Sequence, residues 1–403
     1  MISRLPRSVS RMKMSRFDKP IDRRGSLSYK WNVGEDELPM WVADMDFEAP
    51  EAVVDAIVER AKHGVYGYSY TPDEFFESVS KYYVRRHGFA FDTEWMIYSS
   101  GIVAAISSVV RWLTRPNENV LIQAPVYNIF YNSIINNGRR VLSSDLVYKD
   151  GAYSIDFYDL ENKLSDPQTS LMILCNPHNP VGKIWSADEL KQIGELAAKY
   201  GVIVLSDEIH CDITLPGCEY TPFASVSEVC ANIAITAIAG SKTFNIAGLQ
   251  SAVIAVKDGI LRHRVFRGIN TDEVGEPNAF SIGANIAAFT RCDGWVDELR
   301  VYLAENRRIA TEYIGANIKE LKVTPAEATY LLWVDISDVC SDSVMFAKFL
   351  RQEAGLFVCD GAEYGECGRT FLRINLATRR ELVIEGMKRL EKGVKLFKEK
   401  NNH

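Results

Sequence analysis

The sequence contains no run approaching the ~20 apolar residues that a membrane-spanning helix requires, so a bilayer-embedded chain is not expected. It has no C-x-x-C pair and no H-x-x-x-H spacing. Its eight cysteines stand dispersed at 175, 211, 218, 230, 292, 340, 359 and 367, and it has only six histidines. With no secretory apolar segment either, those cysteines read as reduced, mostly buried small hydrophobes, and neither a disulfide framework nor a metal centre is expected. Positive charge is also scarce, with 46 Lys and Arg against 53 Asp and Glu and a formal net charge of −7. Nucleic acid and anionic membranes are bound through clustered cations, so neither is expected as a partner. With no secretory segment and cysteines read as reduced, a cytoplasmic location is expected. No internal repeat and no low-complexity segment interrupts the chain.

The one Arg-rich and Ser-rich stretch is N-terminal, "MISRLPRSVSRMKMSRF", with no acid before Asp18. Residues 1–14 read as a flexible leader, and further methionines at Met12 and Met14 suggest a start-site extension.

At 403 residues the chain exceeds what one core usually supports, so two domains are expected. Short, continuous apolar runs mark strands covered on both faces: Asn119 to Ala124, Leu171 to Cys175, Val202 to Ser206, Ile233 to Ile238 and Ala252 to Val256. Helical patterns separate most of them. "SADELKQIGELAAKY" opens with Ser186 and Glu189 as a capping box and then places Leu190, Ile193, Ala197 and Tyr200 on one stripe. The pattern predicts an α/β fold whose mixed, mostly parallel sheet carries helices on both faces, with a large domain over 62–292. From Asp293 a long amphipathic helix leads into "TYLLWVDI" and "RTFLRINLA". A smaller α+β domain is therefore expected from both termini, 15–61 and 293–403.

In such a sheet, ligands collect at the carboxyl ends of the strands. Polar residues cluster at those ends here. "CNPHNPVG" offers Asn176 and Asn179, "SDEIH" offers Asp207, Glu208 and His210, and "AGSK" offers Lys242. Taken singly, each is an ordinary cap, turn or surface residue. In combination, N-P-x-N-P-x-G, S-D-E and S-K-T-F resemble the fold type I pyridoxal-phosphate (PLP) enzymes of the class I/II aminotransferase superfamily, and the resemblance runs from about Arg23 to Phe397.

Chemistry explains the residue types. An amine condenses with the cofactor aldehyde and yields to substrate amines, the role the resemblance gives Lys242, which then becomes the base at the substrate Cα. Asp207 would keep a proton on the pyridine nitrogen, and Asn179 would donate to the phenolate oxygen. The resemblance assigns the phosphate to the amides of Ile102 and Val103, which open a helix after a glycine turn, and to the Ser241 hydroxyl. It stacks Tyr127 on the pyridine face. "VYGYSYTP" resembles the segment that reaches a neighbouring subunit's phosphate, which implies a homodimer with composite sites and assigns Tyr68 to that contact. Arg373 in "FLRIN" matches the arginine that clamps a substrate carboxylate, on a strand whose alternation reads as half-buried, with Ala43 beside it at the substrate.

Three stretches select a reaction. "WVADMDFEAP", "KTFNIAGLQ" and "EYGECGRTFLRIN" resemble the cystathionine β-lyase or cysteine-S-conjugate β-lyase subgroup. That implies α,β-elimination of L-cystathionine or another cysteine conjugate to a thiol, pyruvate and ammonia, with Tyr127 as a proton donor to the departing sulfur. The alternatives are an aminotransferase acting on an amino acid and a 2-oxo acid, or a lyase that also binds a regulatory protein. Three positions depart from the superfamily pattern. His210 replaces a tyrosine, with a charge expected to vary near neutral pH. Ala239 replaces a serine at the phosphate, and Gln250 an arginine.

Overall fold

The computed structural model describes residues 15–401, so the leader expected at 1–14 lies outside the described residues. A seven-stranded sheet runs in the order Met96–Ser99, Ala252–Ala255, Ala234–Ile238, Ile203–Asp207, Thr169–Cys175, Asn119–Ile122, Arg140–Ser143. Ala252–Ala255 is antiparallel to both its neighbours, and the other adjacent pairs are parallel. Each of the five strands expected from sequence is present, with ends within two residues of those expected.

Both faces of the sheet are covered, which is why its strands are continuous apolar runs. Leu171, Ile173 and Cys175 pack in one core with Ile106 and Val109 of the helix Ile102–Leu113, while Met172 and Leu174 point into the opposite core. The expected capping box forms at the helix Ala187–Lys199: Ser186 Oγ accepts from the Glu189 N–H at 3.2 Å, and Glu189 Oε2 accepts from the Ser186 N–H at 2.8 Å. Leu190, Ile193 and Ala197 of its stripe are buried.

The long helix Asp293–Asn317 leads to an antiparallel four-stranded sheet in the order Lys322–Val323, Leu331–Asp335, Phe371–Asn375, Cys359–Asp360. With the helices Ser343–Ala354 and Arg380–Asn401 it builds a second core around Leu332, Ile374, Leu350 and Leu390, which Leu38 and Met40 join from the N-terminal segment. The helix Glu51–His63 packs on Ser281–Arg291, and its Val53 lies in the large sheet's core, so a division at 61/62 falls within that helix. Among the described residues no helix is long and apolar enough to cross a membrane, and all eight cysteines are free, six of them buried.

Candidate active site

Four neighbouring strand ends deliver the polar residues to one edge. Asp207 is the last residue of Ile203–Asp207, Lys242 follows Ala234–Ile238 by four residues, Asn179 follows Thr169–Cys175, and Tyr127 follows Asn119–Ile122. The turn after Met96–Ser99 requires glycine: Gly101 has φ 130°, in the region that disfavours side chains, and it caps the helix opened by Ile102 and Val103. The first-turn amides of that helix have no intrahelical acceptor. These elements enclose a cavity of about 390 Å³ whose wall includes Ala43, Ile102, Val103, Tyr127, Asn179, Asp207, His210, Ser241, Lys242 and Gln250. Tyr68 is not among them: it stands fully exposed at the surface.

Lys242 Nζ donates to the Ala43 carbonyl at 2.6 Å. Burial, reinforced by Arg373 and opposed by Asp44 and Asp207, brings its pKa down to about 8. Asp207 is pushed up to about 6 by burial, against the Ile209 N–H at 3.2 Å and the Lys242 charge. For His210 the expectation of a charge varying near neutrality does not hold. Burial, then Lys242 and Arg373, push it down to about 3, so the ring is neutral there.

Arg373 stands behind Asn179. Its Nη1 donates to Asn179 Oδ1 at 3.2 Å and its Nη2 to the Trp41 carbonyl at 2.9 Å, and its guanidinium lies 4.8 Å from the Tyr364 ring centroid. The strand Phe371–Asn375 is buried along its whole length rather than half-buried. It is central in the small sheet, with Leu372 and Ile374 in the second core, while Phe371 lies in the core shared with the large sheet. Glu208, also a strand-end candidate, lies outside the cavity wall. It accepts from Tyr220, Ser206 Oγ and the Phe223 N–H, all in protein interior.

Sequence reasoning missed the scaffold of the 41–47 loop. Asp46 accepts from Arg23 Nη1 at 2.7 Å, Lys30 Nζ at 2.8 Å and Trp31 Nε1 at 2.8 Å, and Arg23 also pairs with Asp44. Asn375 Nδ2 donates to the Val42 and Asp44 carbonyls, Asn245 Nδ2 to those of Met45 and Phe47, and the Tyr330 hydroxyl to Ala43 O at 2.9 Å. The acidic pair in "ADMDF" was the available signal, since two acids in an otherwise apolar stretch need partners.

A sheet edge that gathers a desolvated lysine, a buried aspartate, helix-terminal amides and an interior arginine defines a class of site for an anionic, carbonyl-bearing cofactor and an amino-acid substrate. Residues 36–390 match the family described as aminotransferase class I and II, and the chain belongs to that family. It is 41% identical over 382 residues to cystathionine β-lyase PatB of Bacillus subtilis, covering 93% of this chain and 98% of that protein. It is 31% identical over 386 residues to protein MalY of Escherichia coli, covering 94% and 96% respectively. The crystal structure of cystalysin from Treponema denticola, which contains a pyridoxal 5'-phosphate cofactor, superposes with a TM-score of 0.91 at 33% identity, over 95% of this chain and 99% of that one.

Proposed function

We propose that the chain is a PLP-dependent carbon–sulfur β-lyase that cleaves L-cystathionine or another cysteine S-conjugate to a thiol, pyruvate and ammonia. The observation that carries this reading is the shared cavity. It holds the low-pKa amine of Lys242 and the carboxyl of Asp207, with Arg373 immediately behind Asn179.

The residues present fit the cofactor. His210 Nδ1 and Arg373 Nε are buried without a hydrogen-bond partner, an arrangement that invites a ligand. Asn179 spends its oxygen on Arg373 and so keeps its amide hydrogens for an acceptor. Ile102 and Val103 amides and the Ser241 hydroxyl would hold the phosphate, Asp207 the pyridine nitrogen, Asn179 and His210 the phenolate oxygen, and Tyr127 the ring face. With Ala239 and Gln250 in place of a hydroxyl and a guanidinium, the phosphate leans more on the helix amides. When bound, the cofactor supplies an aldehyde for amines and an electron sink for charge released at the substrate Cα.

The chain's own groups do the rest. Arg373 binds the substrate carboxylate and fixes which bond at Cα faces Lys242, with Ala43 alongside. Lys242 removes the α-proton, and a pKa near 8 keeps an appreciable share of its amine neutral. Tyr127 donates a proton to the leaving sulfur. Burial raises its pKa, so the hydroxyl stays protonated until that step.

We also read the enzyme as a cytoplasmic homodimer. Support comes from the eight free cysteines and from the surface run Val65, Tyr66, Tyr68 and Tyr70, of which Tyr68 is suited to reach the phosphate of a second copy. Purified protein incubated with L-cystathionine should release pyruvate without an added 2-oxo acid. Amino-group transfer to 2-oxoglutarate with no pyruvate would replace this reading with an aminotransferase.

A further inference from the structure

Outside the cavity just described, three donor atoms of different chemistry converge. His87 is the last residue of the helix Asp73–His87, and Cys211 and Asp212 follow the sheet strand that carries Asp207. An imidazole nitrogen, the Cys211 sulfur and an Asp212 oxygen all lie within 4.8 Å of one another. His87 Nε2 and Asp212 Oδ1 are 3.1 Å apart. A second cavity, about 440 Å³, opens on all three and carries Cys218 on its wall.

We infer that His87, Cys211 and Asp212 form a binding site for a thiophilic divalent cation of the zinc type. One nitrogen, one sulfur and one carboxylate oxygen make a donor set that zinc accepts, and the open cavity supplies the entry path and room for water as a fourth ligand. An ion pair alone would account for His87 and Asp212. It gives no reason for a thiol at their shared edge, nor for a cavity leading to it.

The cationic side chains on the same wall have partners of their own, although Arg86 also feels the Asp212 charge. Arg85 pairs with Asp293 at 3.1 Å and Arg86 with Asp297 at 2.7 Å, and Arg300 donates to the Thr214 carbonyl at 2.9 Å. Before cation binding, Cys211 Sγ is 3.4 Å from the Tyr83 hydroxyl. The cation takes up the thiolate and releases the thiol proton to solvent. Asp212 Oδ2 accepts from Thr243 Oγ1 at 2.8 Å, so the site sits one residue from Lys242. Its existence does not depend on the lyase reading.

Zinc chloride titrated calorimetrically into the cofactor-loaded enzyme, in a non-chelating buffer, should show one saturable ion per chain. His87→Gln and Cys211→Ala should each weaken binding by at least the roughly 10–100-fold that lesser changes around metal sites cost. No saturable binding, or equal binding by wild type and both variants, overturns the site. If the variants do not fold, X-ray absorption of the zinc-loaded wild type decides. A shell with at least one sulfur near about 2.3 Å and a nitrogen near about 2.0–2.1 Å supports it, and a shell without sulfur overturns it.

Discussion

Replacing Arg373 with lysine keeps the positive charge and removes the fork. In the native protein the buried guanidinium already spends Nη1 on Asn179 and Nη2 on the Trp41 carbonyl, and its Nε has no partner. A substrate carboxylate would meet a planar donor set 4.8 Å from the Tyr364 ring centroid. A lysine ammonium offers one compact head to the same acceptors, so at least one charge-assisted bond to the carboxylate is lost, about 1.5–3 kcal/mol. Converted at about 1.4 kcal/mol per decade, kcat/KM for pyruvate release from L-cystathionine should fall by about 10–150-fold. Because the proposed clamp would also orient the Cα–H bond toward Lys242, kcat should fall along with the rise in KM. Steady-state pyruvate release measures both. The same assay with the substrate's carboxyl groups esterified completes a cycle: wild type should lose activity on esterification, and Arg373→Lys should lose much less. A variant within twofold of wild type, or one that discriminates against the ester as strongly, would refute the clamp.

The remaining predictions concern other parts of the site. Lys242→Ala should abolish borohydride labelling of the peptide containing position 242 and lower turnover by at least about 10²–10⁴-fold, the usual contribution of a positioned base, as read by mass spectrometry and pyruvate assay. Tyr127→Phe should slow pyruvate release, and unchanged lyase turnover would remove this hydroxyl from proton donation. Tyr68→Ala should raise the concentration of pyridoxal phosphate needed for half-maximal activity while sedimentation still reports a dimer. A monomeric wild type would defeat the composite-site reading. Asp46→Asn leaves Lys30 buried without its near carboxylate, a change worth about 3–5 kcal/mol, with the lower end favoured because Asp44 remains 3.7 Å from Lys30. The Asp46 pKa is depressed, despite burial, by Lys30, Trp31 and Arg23. Its contribution is therefore present above the ordinary carboxylate pKa of 3.8 and is lost as pH falls through the lower folded value, so the gap between wild type and Asp46→Asn in thermal melts should close in acid.

The site was legible in sequence where chemistry coincides with a change of backbone. Strands buried on both faces are mostly apolar, so polar groups at or just past their ends stand out: Asp207 is the last residue of its strand, and Asn179 and Lys242 each follow theirs by four residues. Properties set by neighbours distant along the chain were not legible. His210 follows Asp207 by three residues, yet its neutrality comes from burial and from Lys242 and Arg373. The alternation in "FLRIN" records two different environments, but both are interior: one is the second core and the other faces the large sheet. The His87–Asp212 contact joins residues 125 apart, and no local spacing rule could find it.

The acids of "ADMDF" show how a motif can serve a reaction without touching the reactants. Were a carboxylate the direct acceptor for Lys242 Nζ, Coulomb attraction would raise the amine's pKa and keep it charged. The acceptor at 2.6 Å is instead the neutral carbonyl of Ala43, and the nearest acid in the loop, Asp44, is shared with Arg23. A carbonyl on an exposed, mobile loop would be a poor substitute, because it could not hold a fixed position. Here Asp46 ties the loop to Arg23, Lys30 and Trp31, Asn375 binds the carbonyls of Val42 and Asp44 on either side of Ala43, Asn245 those of Met45 and Phe47 further along, and Tyr330 donates to Ala43 itself. The buried charges are thus used to immobilise a neutral acceptor, and that allows the lysine to be positioned while its pKa stays near 8.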